Sequence, residues 1–291
     1  MRGFGRLLFT VLRRLPKNAL SRWMGRVASL ALWGPVQRAE IRLFAWLSGV
    51  DLNEARDEIE DFSSLQRFFT RALVPGARPI EGGERVLVSP CDGVWGAAGR
   101  IEGGTMLQVK GRSYRVSELL GDDDLAEAFE AGCYATFYLS PKDYHRFHTP
   151  AAGRITRVDH HPGALWPVNE IGLRGVDALF ARNERVCAFL EPDGLGADAP
   201  LALVAVGATM VGSIRLAFGT QRTNQRAKEP SRREYGAGAP HFERGEEWGH
   251  FEFGSTIVLL TPPGEIELEY GAPGDRLRMG RRIGSWGGLS D

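Results

Sequence analysis

Apolar positions recur along this chain with two different periods, and the change falls near residue 50. Before it, Phe4, Leu7, Leu8, Val11, Leu12 and Leu15 follow the 3, 4 and 7 spacings of one helical face. After Pro16 a second stripe of Leu20, Trp23, Met24, Val27, Leu30 and Ala31 repeats the pattern, so two amphipathic helices are predicted. Asp51 to Ala72 reads as a further, acidic helix with Leu65, Phe68 and Phe69 on its apolar face, and Pro75, Gly76, Pro79, Gly82 and Gly83 then predict a loop. Beyond it the period shortens. Val86-Leu87-Val88, Tyr134 to Tyr138, Val186 to Leu190, Leu201 to Val206 and Thr256 to Leu260 are short strand-like runs separated by Gly and Pro. Long helical patterns do not alternate with them, which argues against a doubly wound parallel sheet. The expected class is α+β, with N-terminal amphipathic helices followed by a β-rich antiparallel sandwich or barrel-like core. Thr220 to Glu247, rich in Arg, Glu, Gly and Pro, reads as a long exposed loop, and loops of that length are often functional.

Charge sharpens the division at residue 50. Of 36 basic and 36 acidic side chains, residues 1–50 hold nine basic ones and a single acid, Glu40, which makes that segment +8 and the remainder −8. Three of the seven tryptophans, Trp23, Trp33 and Trp46, lie in the same segment. Basic helices carrying Trp and Leu lie in a headgroup layer with their arginines on anionic phosphates. The same stripes would equally pack on the chain's own core; the arginine excess favours the membrane surface. No apolar run reaches the roughly 18 residues of a spanning helix. Arg13-Arg14 interrupts the candidate signal-peptide core, so an uncleaved, non-spanning anchor is expected. The basic residues are too dispersed for a nucleic-acid motif. At 291 residues the chain can bury a sizeable core. Its three separated cysteines, Cys91, Cys133 and Cys187, support neither a disulfide framework nor a CxxC metal site and fit a reducing compartment.

Candidate chemistry gathers at three places. Asp92 stands at a turn in Ser89-Pro90-Cys91-Asp92-Gly93, His145 and His148 follow a strand in the block from Tyr138 to Pro150, and Ser255 opens an apolar strand after Gly254. An Asp, a His and a Ser in any chain order can form a charge relay, because the requirement is geometric. Glycine before the serine would let the hydroxyl approach the preceding carbonyl. The chain, however, contains Gly-Ser at 212–213, 254–255 and 284–285, and composition does not choose among them. No Gly-x-Ser-x-Gly surrounds Ser255, against an ordinary lipase-type hydrolase. His145 and His148, three apart, resemble half of a metal site, but no third ligand stands in a recognised spacing, so no metal is expected.

SPCDG at 89–93, YLSPKDYHRFHTP at 138–150, LFARNERV at 179–186, VGATMVGSI at 206–214 and FGST at 253–256 together closely resemble the phosphatidylserine decarboxylase proenzymes of the bacterial membrane-associated type. The similarity runs in register over most of the chain, basic N-terminal helices included. It implies a pyruvoyl-dependent enzyme that cuts itself between Gly254 and Ser255, with Asp92, His148 and Ser255 as the self-cleaving relay. Ser255 Oγ would attack the Gly254 carbonyl, the resulting ester would eliminate to dehydroalanine, and hydrolysis would release ammonia and leave a pyruvoyl group. Residues 1–254 would become a β chain and 255–291 an α chain. No natural side chain supplies an electrophilic ketone, and a Schiff base from it to phosphatidylserine provides the electron sink for loss of CO2 to give phosphatidylethanolamine.

His145 resembles the family residue that assists decarboxylation, set against a structural role at the strand end; Asn169 aligns with a segment ending in Val-Asn that touches substrate, set against an ordinary turn residue. The implied organisation is a membrane-associating segment, 1–50, and a catalytic domain, 51–291, held peripherally on the cytoplasmic side of an anionic membrane, with a homo-oligomer allowed. Glu246-Glu247-Trp248-Gly249-His250-Phe251-Glu252-Phe253 departs from the Met-Gly-Arg-Phe and Leu more usual before Gly-Ser, so the rate and pH dependence of maturation do not carry over. Two other functions use the same residues. A lipid-acting serine hydrolase with Asp92, His148 and Ser255 would stay uncut and react with fluorophosphonates, and a non-enzymatic membrane-binding β module would stay uncut and not react.

Overall fold

The structure, a computed structural model, describes residues 16–109, 112–195, 200–209, 213–219, 222–225, 227–252, 255–264 and 266–287. The stripe Phe4, Leu7, Leu8, Val11, Leu12 and Leu15, together with Gly212 and Gly254, lies outside the described residues.

The second predicted stripe folds as helix α1, Lys17–Ala28. Helix α2, Gly34–Ser48, starts with proline in its first turn and stops at Gly49, which takes φ +76° while its N–H closes onto the Ala45 carbonyl. That is the usual division of labour between a helix-starting proline and a helix-ending glycine. Ile41 and Ala45, one turn apart, pack with Phe62 and Phe68 in a small core of their own. Asp51 to Ala72 is not the continuous helix expected. It forms two 3₁₀ turns, Leu52–Glu54 and Ile59–Asp61, and one short helix α3, Leu65–Phe69. The reason is local competition: Asp51 accepts from Asn53 N, Asp61 from Glu58 N and Ser64 from Arg67 N, each offering the backbone an alternative to a helical bond.

Of the five predicted runs, Val86–Val88 pairs with Arg282–Trp286 in a separate three-stranded sheet, whereas the other four join an open antiparallel sheet. Its members in chain order are β1 (Gly93–Arg100), β2 (Cys133–Leu139), β3 (Gly153–His161), β4 (Arg185–Pro192), β5 (Leu201–Val206), β6 (Ser231–Glu234), β7 (His241–Phe242), β8 (Ser255–Thr261) and β9 (Arg276–Leu277). They lie side by side as β6-β3-β4-β5-β8-β2-β1-β9, with β7 also paired to β3. The class is α+β as expected, and the sheet does not close into a barrel among the described residues. The run expected to be one exposed loop, Thr220 to Glu247, contributes β6 and β7 to this sheet through their pairing with β3.

Strand β8 sits at the centre, between β5 and β2, and every one of its residues is buried. Its alternate side chains enter two different cores: Ile257 and Leu259 join one, Val258 and Leu260 the other. Leu203 and Ala205 against Ala202 and Val204 divide the same way on β5. A strand covered on both faces has no polar side, which is why these runs read as continuously apolar rather than alternating.

Helices α1 and α2 and the turn between them also carry apolar side chains that are left exposed among the described residues. Trp33 and Trp46 are each 77% exposed, and Trp23, Leu30, Leu43 and Leu47 are exposed beside them. The helices therefore do both things their stripes allowed: part of each packs on the domain, and part faces outward. No helix among the described residues is long and apolar enough to cross a membrane.

Candidate active site

Ser255 is the first residue of the central strand, opposite Leu139 at the end of β2. It is fully buried, and its Oγ has no hydrogen-bond partner among the described residues. It lines a cavity of about 450 Å³ between the end of the sheet and the N-terminal helices, whose wall includes Met24, Val27, Phe44, Phe69 and Asn169. Volume and apolar lining suit a small-molecule or lipid-headgroup site.

The chain leaving β2 turns sharply. Asp143 accepts from both the backbone N–H and the hydroxyl of Ser140, at 2.8 and 2.6 Å, closing a tight turn that carries the chain to His145. The His145 Nδ1–H donates to the Asp143 carbonyl at 2.8 Å, which fixes the tautomer and leaves Nε2 as a bare acceptor. That nitrogen is buried without a partner, and the ring lies 4.0 Å from the ring of Phe69, itself on the cavity wall. Burial pushes the His145 pKa down to about 3, so the ring is neutral at physiological pH. The carbonyl of His145 accepts from Phe251 N at 2.9 Å, which ties it to the segment approaching Ser255.

His148 lies on the short strand Arg146–His148, paired with Glu247–Phe251. Its Nδ1–H donates to the Gly245 carbonyl at 2.8 Å, and its Nε2 accepts from the Tyr144 hydroxyl at 3.1 Å across a stacked ring pair. Desolvation lowers its pKa, opposed by the Gly245 bond and by the negative charges of Glu247 and Asp92. The backbone brings the Asp92 turn alongside, since His148 N donates to the Pro90 carbonyl at 2.7 Å. Asp92 itself is held elsewhere. Arg78 clamps both its oxygens, at 2.8 and 2.6 Å, and Met279 N donates to Oδ1 at 2.8 Å. Arg78 also grips Glu54 with two bonds, and these carboxylates raise its already high pKa against the opposing cost of burial.

The structure thus places Asp92, His145, His148 and Ser255 on neighbouring elements at one end of the sheet. No hydrogen bond joins Asp92 to His148 or His148 to Ser255 among the described residues. Asn169 does two things: its Oδ1 accepts from Ile171 N and Gly172 N, capping the helix Glu170–Gly175, and it borders the Ser255 cavity. Tyr144, Arg78 and Phe69 were not anticipated. Tyr144 stands inside the 138–150 block and was there to be weighed; Arg78 and Phe69 carry no local signature of the contacts they make. Arg71 is a further surprise, a buried guanidinium that reaches the Lys142 carbonyl at 3.1 Å while its Nε and second terminal nitrogen have no partner among the described residues. No group of three His, Cys, Asp or Glu among the described residues is arranged to hold a metal ion.

Residues 65–285 match the family model for phosphatidylserine decarboxylase. The chain belongs to the phosphatidylserine decarboxylase family. It is 45% identical over 282 residues to the phosphatidylserine decarboxylase proenzyme of Anaeromyxobacter sp. (strain K), covering 96% of this chain and 98% of that one. It is 40% identical over 280 residues to the proenzyme of Brevibacillus brevis, covering 96% and 97%. The Myxococcus xanthus proenzyme is 41% identical over 273 residues, covering 93% and 95%. Membership in this decarboxylase family supports an enzyme rather than a purely structural β module.

Proposed function

We propose that this chain is a proenzyme that cuts itself between Gly254 and Ser255 and then decarboxylates phosphatidylserine to phosphatidylethanolamine. The observation that carries the reading is the Ser255 hydroxyl: buried, unpartnered, and on the wall of an apolar cavity at the head of the central strand. An orphaned hydroxyl is costly for a fold to keep. Converting it to a ketone removes a donor on which no described group depends, so the site fits a pyruvoyl group made from this serine.

In self-cleavage, His148 Nε2 takes the proton of Ser255 Oγ, which attacks the Gly254 carbonyl carbon. The proton taken from the hydroxyl passes to the departing Ser255 nitrogen and the amide becomes an ester; loss of the Ser255 Cα proton to a base then forms the Cα–Cβ double bond as the Gly254 carboxylate leaves, and the enamine tautomerises to an imine from which water displaces ammonia. For this, Nε2 must exchange the Tyr144 hydroxyl for that of Ser255, and the nearby Asp92 charge favours the imidazolium so formed. Arg78 holds the Asp92 carboxyl group in place through both of its oxygens. The mature group supplies an electrophilic carbonyl that engages the serine amine and accepts the electron pair left by CO2. His145 presents a neutral Nε2 as acceptor, suited to taking a hydrogen bond from the substrate and so holding the serine headgroup for decarboxylation. Asn169 borders the space where the headgroup would lie. The exposed tryptophans and leucines of α1 and α2, with the basic charge of their segment, support peripheral attachment to an anionic membrane on its cytoplasmic side.

Intact-mass spectrometry of the purified protein tests the reading. Two chains are expected, the smaller beginning at position 255 and lighter than its serine form by the change to a ketone. S255A remains one chain without decarboxylase activity, whereas normal processing of S255A overturns the proposal. H145A spares cleavage and loses decarboxylation; equal loss of both shows that the two histidine roles are divided wrongly.

A further inference from the structure

Helix α1 has three faces, because successive residues are rotated by about 100°. One is buried, at Lys17, Ser21 and Ala28. A second, at Trp23 and Val27 and continued by Leu30 just past the end of the helix, is apolar and exposed. The third carries Arg22, Gly25, Arg26 and Ser29, and it borders a second cleft of about 350 Å³ closed on its far side by residues 222–225. This cleft is polar where the Ser255 cavity is apolar. The helix separates the two, since Met24, Val27 and Ala28 line the catalytic cavity and none of them borders the cleft.

The far wall is built, not loose. Thr223 accepts from Ile214 N through its hydroxyl at 2.9 Å and donates its own N–H to the Ile214 carbonyl, and Asn224 N donates to Glu184 at 2.9 Å. Asn224 and Thr223 are nearly buried, and the Asn224 side chain faces Arg22 at 3.4 Å. Three guanidinium groups meet here. Arg222 is neutralised by Glu252 at 2.7 Å, but Arg22 and Arg26 have no acidic partner among the described residues. Two forked cations without an acidic partner among the described residues therefore face a cleft lined with hydroxyl and amide groups, directly beside an exposed apolar stripe on the same helix.

We infer that this cleft binds the phosphodiester of an anionic membrane phospholipid other than the substrate, with the acyl chains lying along Trp23, Val27 and Leu30. Guanidinium pairs one turn apart match phosphate oxygens by two-point hydrogen bonding, and the neighbouring stripe places that phosphate at headgroup depth. A phosphate held here lies on the opposite side of α1 from the Ser255 cavity, while the apolar stripe reaches the edge of that cavity at Val27. Its consequence is orientation: a lipid clamped on one side of α1 seats the mouth of the Ser255 cavity, on the other side, against the membrane. The assignment rests on the reading of this chain as an enzyme acting on a membrane lipid.

The test is co-sedimentation of the full-length mature protein with vesicles of phosphatidylcholine, with and without phosphatidylglycerol, for the wild type, R22Q/R26Q and R22K/R26K. With phosphatidylglycerol present, R22Q/R26Q is expected to partition about 30-fold more weakly, about fivefold for each arginine. R22K/R26K keeps the charge but not the fork, and a loss of about tenfold is expected if phosphate is held by two-point bonds. Wild-type binding by the lysine variant reduces the effect to diffuse attraction and overturns the site, as does unchanged binding of the glutamine variant. Calorimetric binding of inorganic phosphate that needs both arginines, with vesicle binding unaffected by either variant, would assign the cleft to a free anion instead. Decarboxylation is not read in this assay. A chain that sediments as expected but does not cleave or decarboxylate refutes the proposed activity and leaves the lipid site standing.

Discussion

Acid should weaken this fold through His145 in a way that can be calculated. The ring is fully buried, its Nδ1–H is committed to the Asp143 carbonyl, and Nε2 has nothing to share a proton with. Its pKa is about 3 in the fold against 6.5 when exposed. Because the folded value is depressed, the unfolded chain binds more protons at any pH between the two. The contribution to stability is therefore complete above pH 6.5 and is lost progressively as pH falls towards 3. The slope is about 1.4 kcal/mol per pH unit, so at about pH 5 the loss from this single group is about 2 kcal/mol relative to neutral pH. Urea unfolding measured at about pH 7.5 and about pH 5 gives the difference directly. An S255A background keeps one covalent chain, so that unfolding is a unimolecular equilibrium. The comparison is with H145Q in the same background: His148 and His161, whose pKa values are also lowered by burial, contribute equally to both proteins and cancel. The drop in free energy between the two pH values should be smaller in H145Q by about 2 kcal/mol. An identical drop would refute the reasoning, since it would mean that the ring already exchanges protons with solvent in the folded state.

Two further substitutions address the contacts that surround the relay. R78M leaves Asp92 and Glu54 as buried or half-buried carboxylates without their counter-charge, and should cost about 3–5 kcal/mol in urea unfolding; the double variant R78M/D92N should recover a large part of it, and no recovery would show that Arg78 acts through packing alone. Y144F frees His148 Nε2 from a hydrogen bond worth about 1 kcal/mol, and should accelerate self-cleavage at neutral pH up to about fivefold in a time course of intact mass. Slower cleavage would make the Tyr144 hydroxyl a participant in the proton transfer instead of its competitor.

The strands were legible because their signal is local. Val186 to Leu190, Leu201 to Val206 and Ile257 to Leu260 are apolar without interruption, and such a run bounded by Gly and Pro has few alternatives to a doubly covered strand. Asp51 to Ala72 misled because the helical spacing of Leu65, Phe68 and Phe69 is real but brief, while Asp51, Asp61 and Ser64 spend their side chains on turn and cap bonds. Thr220 to Glu247 misled in the opposite sense: β6 is Ser231–Glu234, four exposed residues with no apolar alternation, and it exists because β3 offers an edge to pair with.

Within the candidate site, the sequence by itself determined the residue types and their order: a glycine-serine step before an apolar strand, two histidines three apart, an aspartate at a turn. Periodicity and motif depend only on neighbours along the chain, and survive without coordinates. Only the tertiary structure decided what each group experiences. Burial leaves the Ser255 hydroxyl and His145 Nε2 without partners, Tyr144 occupies His148 Nε2, and Arg78, 14 residues away in sequence, holds Asp92. The roof of the Ser255 cavity comes from Met24, Val27 and Phe44, more than two hundred residues earlier. Desolvation, ion pairing and cavity shape depend on which distant segments meet, and that is settled by strand register and helix docking, which no window of the sequence contains.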